Sequence, residues 1–499
     1  AGASSGMAMA HWEIQGWMIL ILGWVFVPFY TRSMVYTMPE FLERRYNPQS
    51  RTILSVISLV SYVLTKVAVT VYAGGLVFQQ VFGIKELWGI DFFWIAAIGL
   101  VVLTALYTIF GGMKSVLYTS VLQTPILLLG SLIILVLGFK ELGGWDEMMR
   151  VCGAVTVNDY GDTMTNLIRS NDDANFPWLG ALIGSAIIGF WYWCTDQFIV
   201  QRVLSGKNEM EARRGTIFGA YLKLLPVFLF LIPGMIAFAL HQKYIGAGGE
   251  GFLPMLENGT ANADAAFPTL VAKLLPAGVK GLVVCGILAA LMSSLASLFN
   301  SSAMLFTIDF YKRFRPQTSE KKLVGIGQVA TVVIVILGIL WIPIMRSVGD
   351  VLYTYLQDVQ SVLAPGIAAA FLLGICWKRT SAQGGMWGLI SGMVIGLTRL
   401  GAKVYYSNAG EVADSTFKYL FYDMNWLFFC GWMFLFCIIV VIVVSLATEA
   451  PTAEKIQGLV FGTATKEQKA STRASWNHWD IIHTVIILAI TGAFYWYFW

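Results

Sequence analysis

Charged side chains are scarce in this sequence of 499 residues: Asp, Glu, Lys and Arg together make up 12%, whereas hydrophobic residues make up 57%. A water-soluble globular chain carries roughly twice that share of charge. The scarcity therefore excludes an ordinary soluble enzyme, a disordered chain and a polar fibrous repeat. The 33 basic and 29 acidic residues give a net charge of only +4. Because the basic residues form no stripe, nucleic acid is not an expected partner.

Sequence motifs for metal binding and catalysis are also missing. The six cysteines are widely spaced, with no CxxC pair, and are interpreted as small apolar residues rather than as a disulfide framework. The four histidines offer no pair four residues apart, which argues against a histidine-held metal site. No GxSxG, Walker or HExxH motif occurs. The sequence therefore does not predict an enzyme.

Long apolar runs are what the sequence has in abundance. In lipid the backbone must satisfy its own hydrogen bonds, so apolar runs of roughly 20 residues predict membrane-spanning helices. The runs, about twelve by this criterion, are residues 9–31, 53–82, 91–110, 116–139, 178–201, 215–241, 276–311, 323–345, 351–377, 383–405, 425–449 and 479–498. Lys and Arg are concentrated in the connections on one side, which identifies the cytoplasmic side. We therefore expect an all-α, multi-pass protein of the plasma or inner membrane, with both ends of the numbered chain outside.

Ionisable residues fall inside several of these runs, where a charge is costly and usually faces a cavity or a partner. Glu13 begins the first run, and an interfacial carboxylate is an equally good interpretation. Lys223 lies deeper, just before Pro226, and must pair or reach the interface, so a functional role is favoured. Gln357 and Asp358 precede a Pro-Gly pair that can free backbone groups to line a cavity. Three other ionisable residues of the runs are considered in the same way: Lys66, Asp196 and Asp309. Of these, Asp309 is interpreted as an interfacial residue that balances the basic cluster after it.

Two further clusters can line a cavity, but each has a structural alternative. Residues 191–197, WYWCTDQ, place three aromatic rings beside Asp196. Such rings can stack on a sugar, although an aromatic belt at the membrane surface has a similar composition. Ser293 and Ser294 lie one turn after Ala290, and their oxygens can bind Na⁺, although close helix packing favours the same small residues. The sequence alone leaves both alternatives open.

Four segments of the chain carry a family resemblance. The chain closely resembles the sodium/solute symporter family, and within it the sodium–glucose cotransporter branch, at residues 191–202 (WYWCTDQFIVQR), 221–226 (YLKLLP), 291–311 (LMSSLASLFNSSAMLFTIDFY) and 37–46 (TMPEFLERRY). The similarity extends over almost the whole chain. It implies a leucine-transporter-like core of two inverted five-helix repeats with extra peripheral helices. It also implies that the first two family spans are missing from the numbered chain.

The same resemblance implies a division of the chain. Residues 1–139 would form the remainder of the first inverted repeat, with core helices 2 to 5, and residues 140–177 an extracytoplasmic loop. Residues 178–377 would form the second inverted repeat, with core helices 6 to 10. Residues 378–499 would be peripheral C-terminal helices.

Site residues also follow from the resemblance. The sugar contacts that it implies are Glu13, Tyr192, Trp193, Lys223 and Gln357. Tyr192 would also stack on the sugar as the inner gate, and Tyr353 takes the outer-gate position. The carbonyl of Ala290 and the hydroxyls of Ser293 and Ser294 would supply half of a sodium site. The other half would come from the missing helix.

Three positions depart from the family pattern. Ser120 stands where many members have an Asp linked to a second sodium site, which favours a single coupled sodium. Gly189 replaces a polar residue that often touches the sugar. Thr70 replaces an acidic residue near Lys66, which leaves that lysine without its usual neighbour.

The function that these features imply is sodium-coupled symport of a neutral, hexose-like sugar into the cell by alternating access, with one Na⁺ per sugar and the lipid bilayer as surroundings. One alternative is a sodium symporter for another organic solute, such as myo-inositol, sialic acid or an amino acid. A second is a sugar sensor or channel without coupling. Uphill accumulation of solute distinguishes coupled transport from the second alternative, because a sensor or channel cannot concentrate a solute.

Overall fold

Helices make up most of the computed structural model, which describes residues 2–256, 259–348, 352–408 and 413–499. In chain order the helical segments are α1 Gly2–Ser33, α2 Met38–Arg45, α3 Pro48–Phe82, α4 Phe92–Leu142, α5 Trp145–Gly153, α6 Trp178–Thr195, α7 Gln197–Leu204, α8 Glu209–Gly246, α9 Ala266–Leu274, α10 Ala277–Phe314, α11 Glu320–Val348, α12 Leu352–Cys376, α13 Ala382–Asn408, α14 Thr416–Lys418, α15 Trp426–Ala447, α16 Ala453–Ile456, α17 Lys466–Ala474 and α18 His478–Tyr497. Two short strands, β1 Glu86–Leu87 and β2 Ile90–Asp91, pair antiparallel between α3 and α4.

Ten helices among the described residues are long and apolar enough to cross a membrane. The predicted spans all fall on helices, and the predicted multi-pass, all-α architecture is confirmed. One detail differs. The two spans predicted at 91–110 and 116–139 form the single helix α4. Residues 111–115, where a connection is expected, contain no proline, so the helical hydrogen bonding can continue through them.

Several helices are interrupted where the candidate site lies. In α1 the backbone leaves helical geometry at Ile14 and Gln15. Between α6 and α7, Asp196 is extended, with φ −78° and ψ 127°, so α6, Asp196 and α7 form what we call the broken helix. Wider π-helical turns occur within α1, α3, α6, α8 and α10 at Leu22–Phe26, Tyr62–Val67, Phe190–Thr195, Val227–Leu231 and Leu305–Tyr311. Such turns are frequent at functional sites because they disturb the regular backbone pairing.

Close helix packing surrounds these interruptions. The helices α12 and α13 approach through glycine: a Cβ at Gly392 would lie 2.6 Å from the Cα of Gly366. Helices approach this closely only where the facing residues are small. The buried apolar side chains form two clusters, one centred on α1, α6 and α8 and the other on α3, α10 and α12. The candidate site lies among the helices of these two clusters.

Candidate functional site

The residues predicted for sugar contact and gating line one cavity of about 210 Å³. Its walls come from the interrupted part of α1, the π-helical turn of α6, the middle of α8 and the first half of α12. The lining residues are Trp12, Glu13, Gln15, Ile188, Gly189, Tyr192, Trp193, Lys223, Tyr353, Leu356, Gln357 and Gln360. The structure thus brings together Glu13, Tyr192, Trp193, Lys223, Tyr353 and Gln357 from four separate helices.

Glu13 is the centre of a hydrogen-bond network in this cavity. Lys223 Nζ donates to Glu13 Oε2 at 2.7 Å, and the Tyr353 hydroxyl donates to Glu13 Oε1 at 2.6 Å. Of the described residues that line the cavity, only Glu13 and Lys223 are charged, so their pairing leaves the cavity with no net charge. The network also joins α1, α8 and α12 at one point. Charged groups within the membrane usually pair in this way, because each partner offsets part of the cost of burying the other.

Local sequence explains the position of Lys223. Pro226 has no amide hydrogen, so the carbonyl one turn earlier in α8 loses its usual donor. The helix widens into the π-helical turn Val227–Leu231 directly afterwards. The ammonium of Lys223, three residues before Pro226, lies at the cavity, 5.6 Å from the ring centroid of Trp193.

Gln357 presents an unpaired acceptor to the cavity. Its side chain is buried, and its carbonyl oxygen Oε1 has no hydrogen-bond partner among the described residues. A buried polar atom without a partner is costly and is uncommon in native structures. A solute hydroxyl is a chemically suitable donor to this atom.

Aromatic rings form another part of the wall. Tyr192 and Trp193 lie in the π-helical turn Phe190–Thr195, with ring centroids 5.0 Å apart and planes at 82°. The flat faces give an apolar surface on which C–H groups can pack. The extended residue Asp196 follows one turn later and caps α7, accepting a hydrogen bond from the backbone amide of Phe198 at 3.0 Å.

Lys66 has a partner that the sequence analysis missed. Its ammonium forms an ion pair with Asp196, and the hydroxyl of Tyr62 donates to the same carboxylate at 2.9 Å. The ammonium also lies 4.9 Å from the ring centroid of Tyr192 and 4.4 Å from that of Phe198. Lys66 therefore lacks the acidic neighbour that the family resemblance leads one to expect at position 70, but it pairs with Asp196 instead. Both charges were identifiable as intramembrane residues, but 130 positions of sequence separate them, and only the fold shows their pairing.

Asp309 also differs from the interfacial interpretation. Its carboxylate is fully buried and accepts hydrogen bonds from Thr37 Oγ1 at 2.8 Å and Arg51 Nε at 2.7 Å. These partners lie far away in sequence, on the α2 cap and on α3. The basic residues that follow Asp309 are nearer in the chain but are not its partners in the hydrogen bonds and ion pairs of the described residues.

The three residues predicted to bind sodium lie outside the cavity, on α10. Ser293 is buried, and its hydroxyl shares a 2.5 Å hydrogen bond with the hydroxyl of Ser120 on α4. Ser294 is exposed, and Ala290 is half-buried. Ser120, which departs from the family pattern, is thus in direct contact with a predicted sodium ligand, Ser293.

Two further cavities adjoin the first. One of about 320 Å³ shares Glu13 and Tyr353 with it and is also lined by Asp264 and Phe267. Another of about 480 Å³ shares Trp193 and Lys223. The side chains around the central cavity therefore also form walls of a cavity on either side. The substrate sites of secondary transporters are likewise formed between interrupted helices.

Comparison with known proteins agrees with this arrangement. The family model described as "Sodium:solute symporter family" matches residues 1–392. The chain is 36% identical to the sodium/myo-inositol cotransporter 2 of Homo sapiens over 93% of this chain and 70% of that protein. It is 36% identical to the sodium/mannose cotransporter SLC5A10 of Bos taurus over 97% of this chain and 83% of that protein. It is 35% identical to the sodium/glucose cotransporter 4 of Danio rerio over 95% of this chain and 73% of that protein.

A solved structure supports the fold. A Na⁺-coupled sialic acid symporter in a substrate-bound outward-open state matches with a TM-score of 0.69 and 21% identity, over 90% of this chain and 85% of that chain. The fold and site thus define a multi-pass membrane transporter with a leucine-transporter-like fold, not an enzyme. The chain belongs to the sodium:solute symporter family. It is a sodium-coupled symporter of a small organic solute.

Proposed function

We propose that the solute is a neutral, hexose-like sugar or related polyol, taken up into the cell with one Na⁺ per molecule by alternating access. The single observation that carries the proposal is the charge-balanced cavity around Glu13, Lys223 and Gln357. An acid that accepts, an amine that donates and an amide that can do both are suited to a polyhydroxylated guest. The relatives named for myo-inositol, mannose and glucose agree with a solute of this kind.

The cavity favours a neutral solute over sialic acid or an amino acid. A carboxylate would need a cationic partner, and the one lining cation, Lys223, is already paired with Glu13 at 2.7 Å among the described residues. Adding a second anion beside Glu13 would be repulsive in a site of low dielectric. The volume of about 210 Å³ is below the roughly 300–1,000 Å³ of drug-sized pockets, which favours a single small ring.

We assign the sodium to the carbonyl of Ala290 and the hydroxyls of Ser293 and Ser294. Na⁺ is a hard cation that prefers oxygen ligands, and these groups lie within one turn of α10. Ser120 supplies a neutral hydroxyl beside Ser293, where a carboxylate would instead attract a further cation. This favours one sodium per solute.

Gating follows from the cavity walls. Tyr353 bonded to Glu13 would separate the central cavity from the cavity of about 320 Å³, on the outer side, and Tyr192 with Trp193 would separate it from the cavity of about 480 Å³, on the inner side. Under this assignment Na⁺ and solute must each stabilise the same conformations, because their coupling free energy is reciprocal.

Competitive uptake tests the proposal. The full protein in proteoliposomes with an inward Na⁺ gradient should take up labelled hexoses or myo-inositol and should not take up sialic acid or amino acids. Unlabelled neutral polyols should compete, and equimolar carboxylate solutes should not. Selective uptake of sialic acid or of an amino acid would overturn the assignment.

A further inference from the structure

A short segment outside the cavity contacts three of the helices that carry the predicted sites. We define the strap as residues 37–45, which comprise Thr37 and the helix α2 that it caps. Thr37 accepts a hydrogen bond from the backbone amide of Glu40, and Pro39 lies in the first turn. The strap is therefore a locally preformed unit.

The first contact joins the strap to α10. Thr37 Oγ1 donates to Asp309 Oδ1 at 2.8 Å, and both side chains are fully buried. Asp309 and Ser293 both lie on α10, separated by roughly 24 Å of helix length, and Asp309 is in the π-helical turn Leu305–Tyr311 of that helix. A rigid-body shift of α10 when Na⁺ binds would therefore reach the strap.

The second contact joins the strap to the broken helix. The backbone amide of Met38 donates to Gln197 Oε1 at 2.8 Å, and Gln197 Nε2 donates to the Tyr36 carbonyl at 3.3 Å. Gln197 is buried and directly follows Asp196, the extended residue at the break. Gln197 is the first residue of α7, so the strap contacts the half of the broken helix that lies across the break at Asp196 from the aromatic wall.

The third contact joins the strap to α12, which carries Tyr353 and Gln357. Arg45 Nε donates to the Gly374 carbonyl at 2.7 Å. Phe41 stacks on Phe371 with ring centroids 6.0 Å apart. The strap thus contacts the helix of the predicted sodium ligands and two helices of the solute cavity.

We propose that the strap transmits sodium occupancy on α10 to the solute-binding helices, with Thr37, Asp309 and Gln197 as positioning residues. This inference rests on the proposed sodium assignment. Coupling between distant sites can be carried by packed side chains and hydrogen-bond networks that have two discrete arrangements. The second carboxylate oxygen of Asp309, Oδ2, is buried without a hydrogen-bond partner among the described residues. Because buried acceptors are normally hydrogen-bonded, Oδ2 offers the Thr37 hydroxyl a second position. The contact between Thr37 and Asp309 can thus have two arrangements.

The sodium response of Cys194 tests the proposal without knowledge of the solute. This thiol lies in the broken helix, is fully buried and donates to the carbonyl of Met18, so a maleimide reaches it only when the helix opens. Alkylation of the full protein in sodium chloride and in choline chloride is followed by peptide mass spectrometry, which distinguishes this cysteine from the others. We expect sodium to change the rate roughly fivefold or more in the parent protein, the scale of an ordinary allosteric coupling.

Matched variants distinguish the loss of a strap contact from a general loss of folding. Thr37→Val should bring the sodium-to-choline rate ratio close to one, whereas Thr37→Ser should preserve it. Thr31→Val is the control, because Thr31 donates within its own helix to Val27 and Pro28; it should keep the parent ratio. If Thr37→Val is not recovered as a monodisperse protein, Gln197→Met removes the opposite contact and should give the same loss.

Two outcomes would overturn the strap proposal: a full sodium response in well-folded Thr37→Val or Gln197→Met, or a parent protein whose Cys194 ignores sodium. Failure of the proposed function is a different result. A parent protein that shows the sodium response, lost in Thr37→Val, but accumulates no polyol would contradict the solute assignment and leave the strap proposal supported.

Discussion

Glu13 accepts one hydrogen bond from Lys223 and one from Tyr353, so its charge is compensated inside the membrane before a solute arrives. We predict that Lys223→Ala lowers uptake at least roughly tenfold, because it leaves a buried charge without its partner. The measurement is initial uptake into proteoliposomes, normalised to the amount of folded protein. The double variant Glu13→Gln with Lys223→Met serves as the control: it should restore protein yield but not uptake. Uptake at the parent rate in Lys223→Ala would show that the ion pair between Glu13 and Lys223 is not needed for transport.

Gln357 offers a more selective test because it carries no charge. We predict that Gln357→Ala raises the KM for the solute about 5- to 30-fold, the effect of losing roughly 1–2 kcal/mol of hydrogen bonding. Concentration dependence of uptake gives KM and the maximal rate separately. Gln79→Ala is the matched control, since Gln79 bonds Asp91 at the end of α3 and lies outside the cavity. An unchanged KM in Gln357→Ala would contradict its role in binding.

Lys66 and Asp196 should stabilise the break in the broken helix as a pair. We predict that Lys66→Met destabilises the protein by about 3–5 kcal/mol, because Asp196 then remains buried without its counter-charge. Lys66→Met combined with Asp196→Asn should recover much of that loss. Thermal unfolding of the purified variants measures both. Equal stability of the single and double variants would show that the ion pair contributes little.

The sequence predicts which residues belong to the site more fully than it predicts which residues they contact. The positions of Glu13, Lys223 and Gln357 stand out because polar groups are rare in apolar runs. Their convergence on one cavity depends on four helices and is evident only in the fold. The same reason explains why Lys66 with Asp196 and Asp309 with Thr37 could not be paired beforehand.

At the scale of elements, apolar periodicity predicts the helices well but not their interruptions. Pro226 gives a local cause for the widened turn in α8. The break at Asp196 has no proline, and its carboxylate instead contacts Lys66 and Tyr62 from α3. The continuous helix α4 shows the opposite case, since a polar connection was predicted where the backbone remains helical.

Close packing between α12 and α13 provides a prediction at this scale. Gly392→Ala should lower thermal stability, because the new Cβ would lie 2.6 Å from Gly366 Cα and overpacking costs roughly 1–3 kcal/mol. Gly401→Ala on the same helix has open space within 4 Å and should leave stability unchanged or raise it. The comparison uses unfolding temperatures in one detergent. A Gly392→Ala protein as stable as Gly401→Ala would contradict the close contact.

For the whole molecule, the central quantity is the free energy that sodium supplies. One Na⁺ crossing about 100 mV releases about 2.3 kcal/mol, and a roughly tenfold gradient adds about 1.4 kcal/mol. Together they permit an accumulation of several hundred-fold. A second sodium would square that accumulation limit. The measured accumulation ratio and the sodium dependence of uptake therefore test the stoichiometry of one sodium per solute that Ser120 favours.

The most direct measurement is therefore steady-state accumulation of a labelled neutral polyol by the full protein in proteoliposomes, with the sodium gradient and membrane potential imposed. We predict concentration above equilibrium that collapses when sodium is equilibrated, with a sodium Hill coefficient near one. Uptake that stops at equal concentrations on both sides, or that does not depend on sodium, would contradict the account.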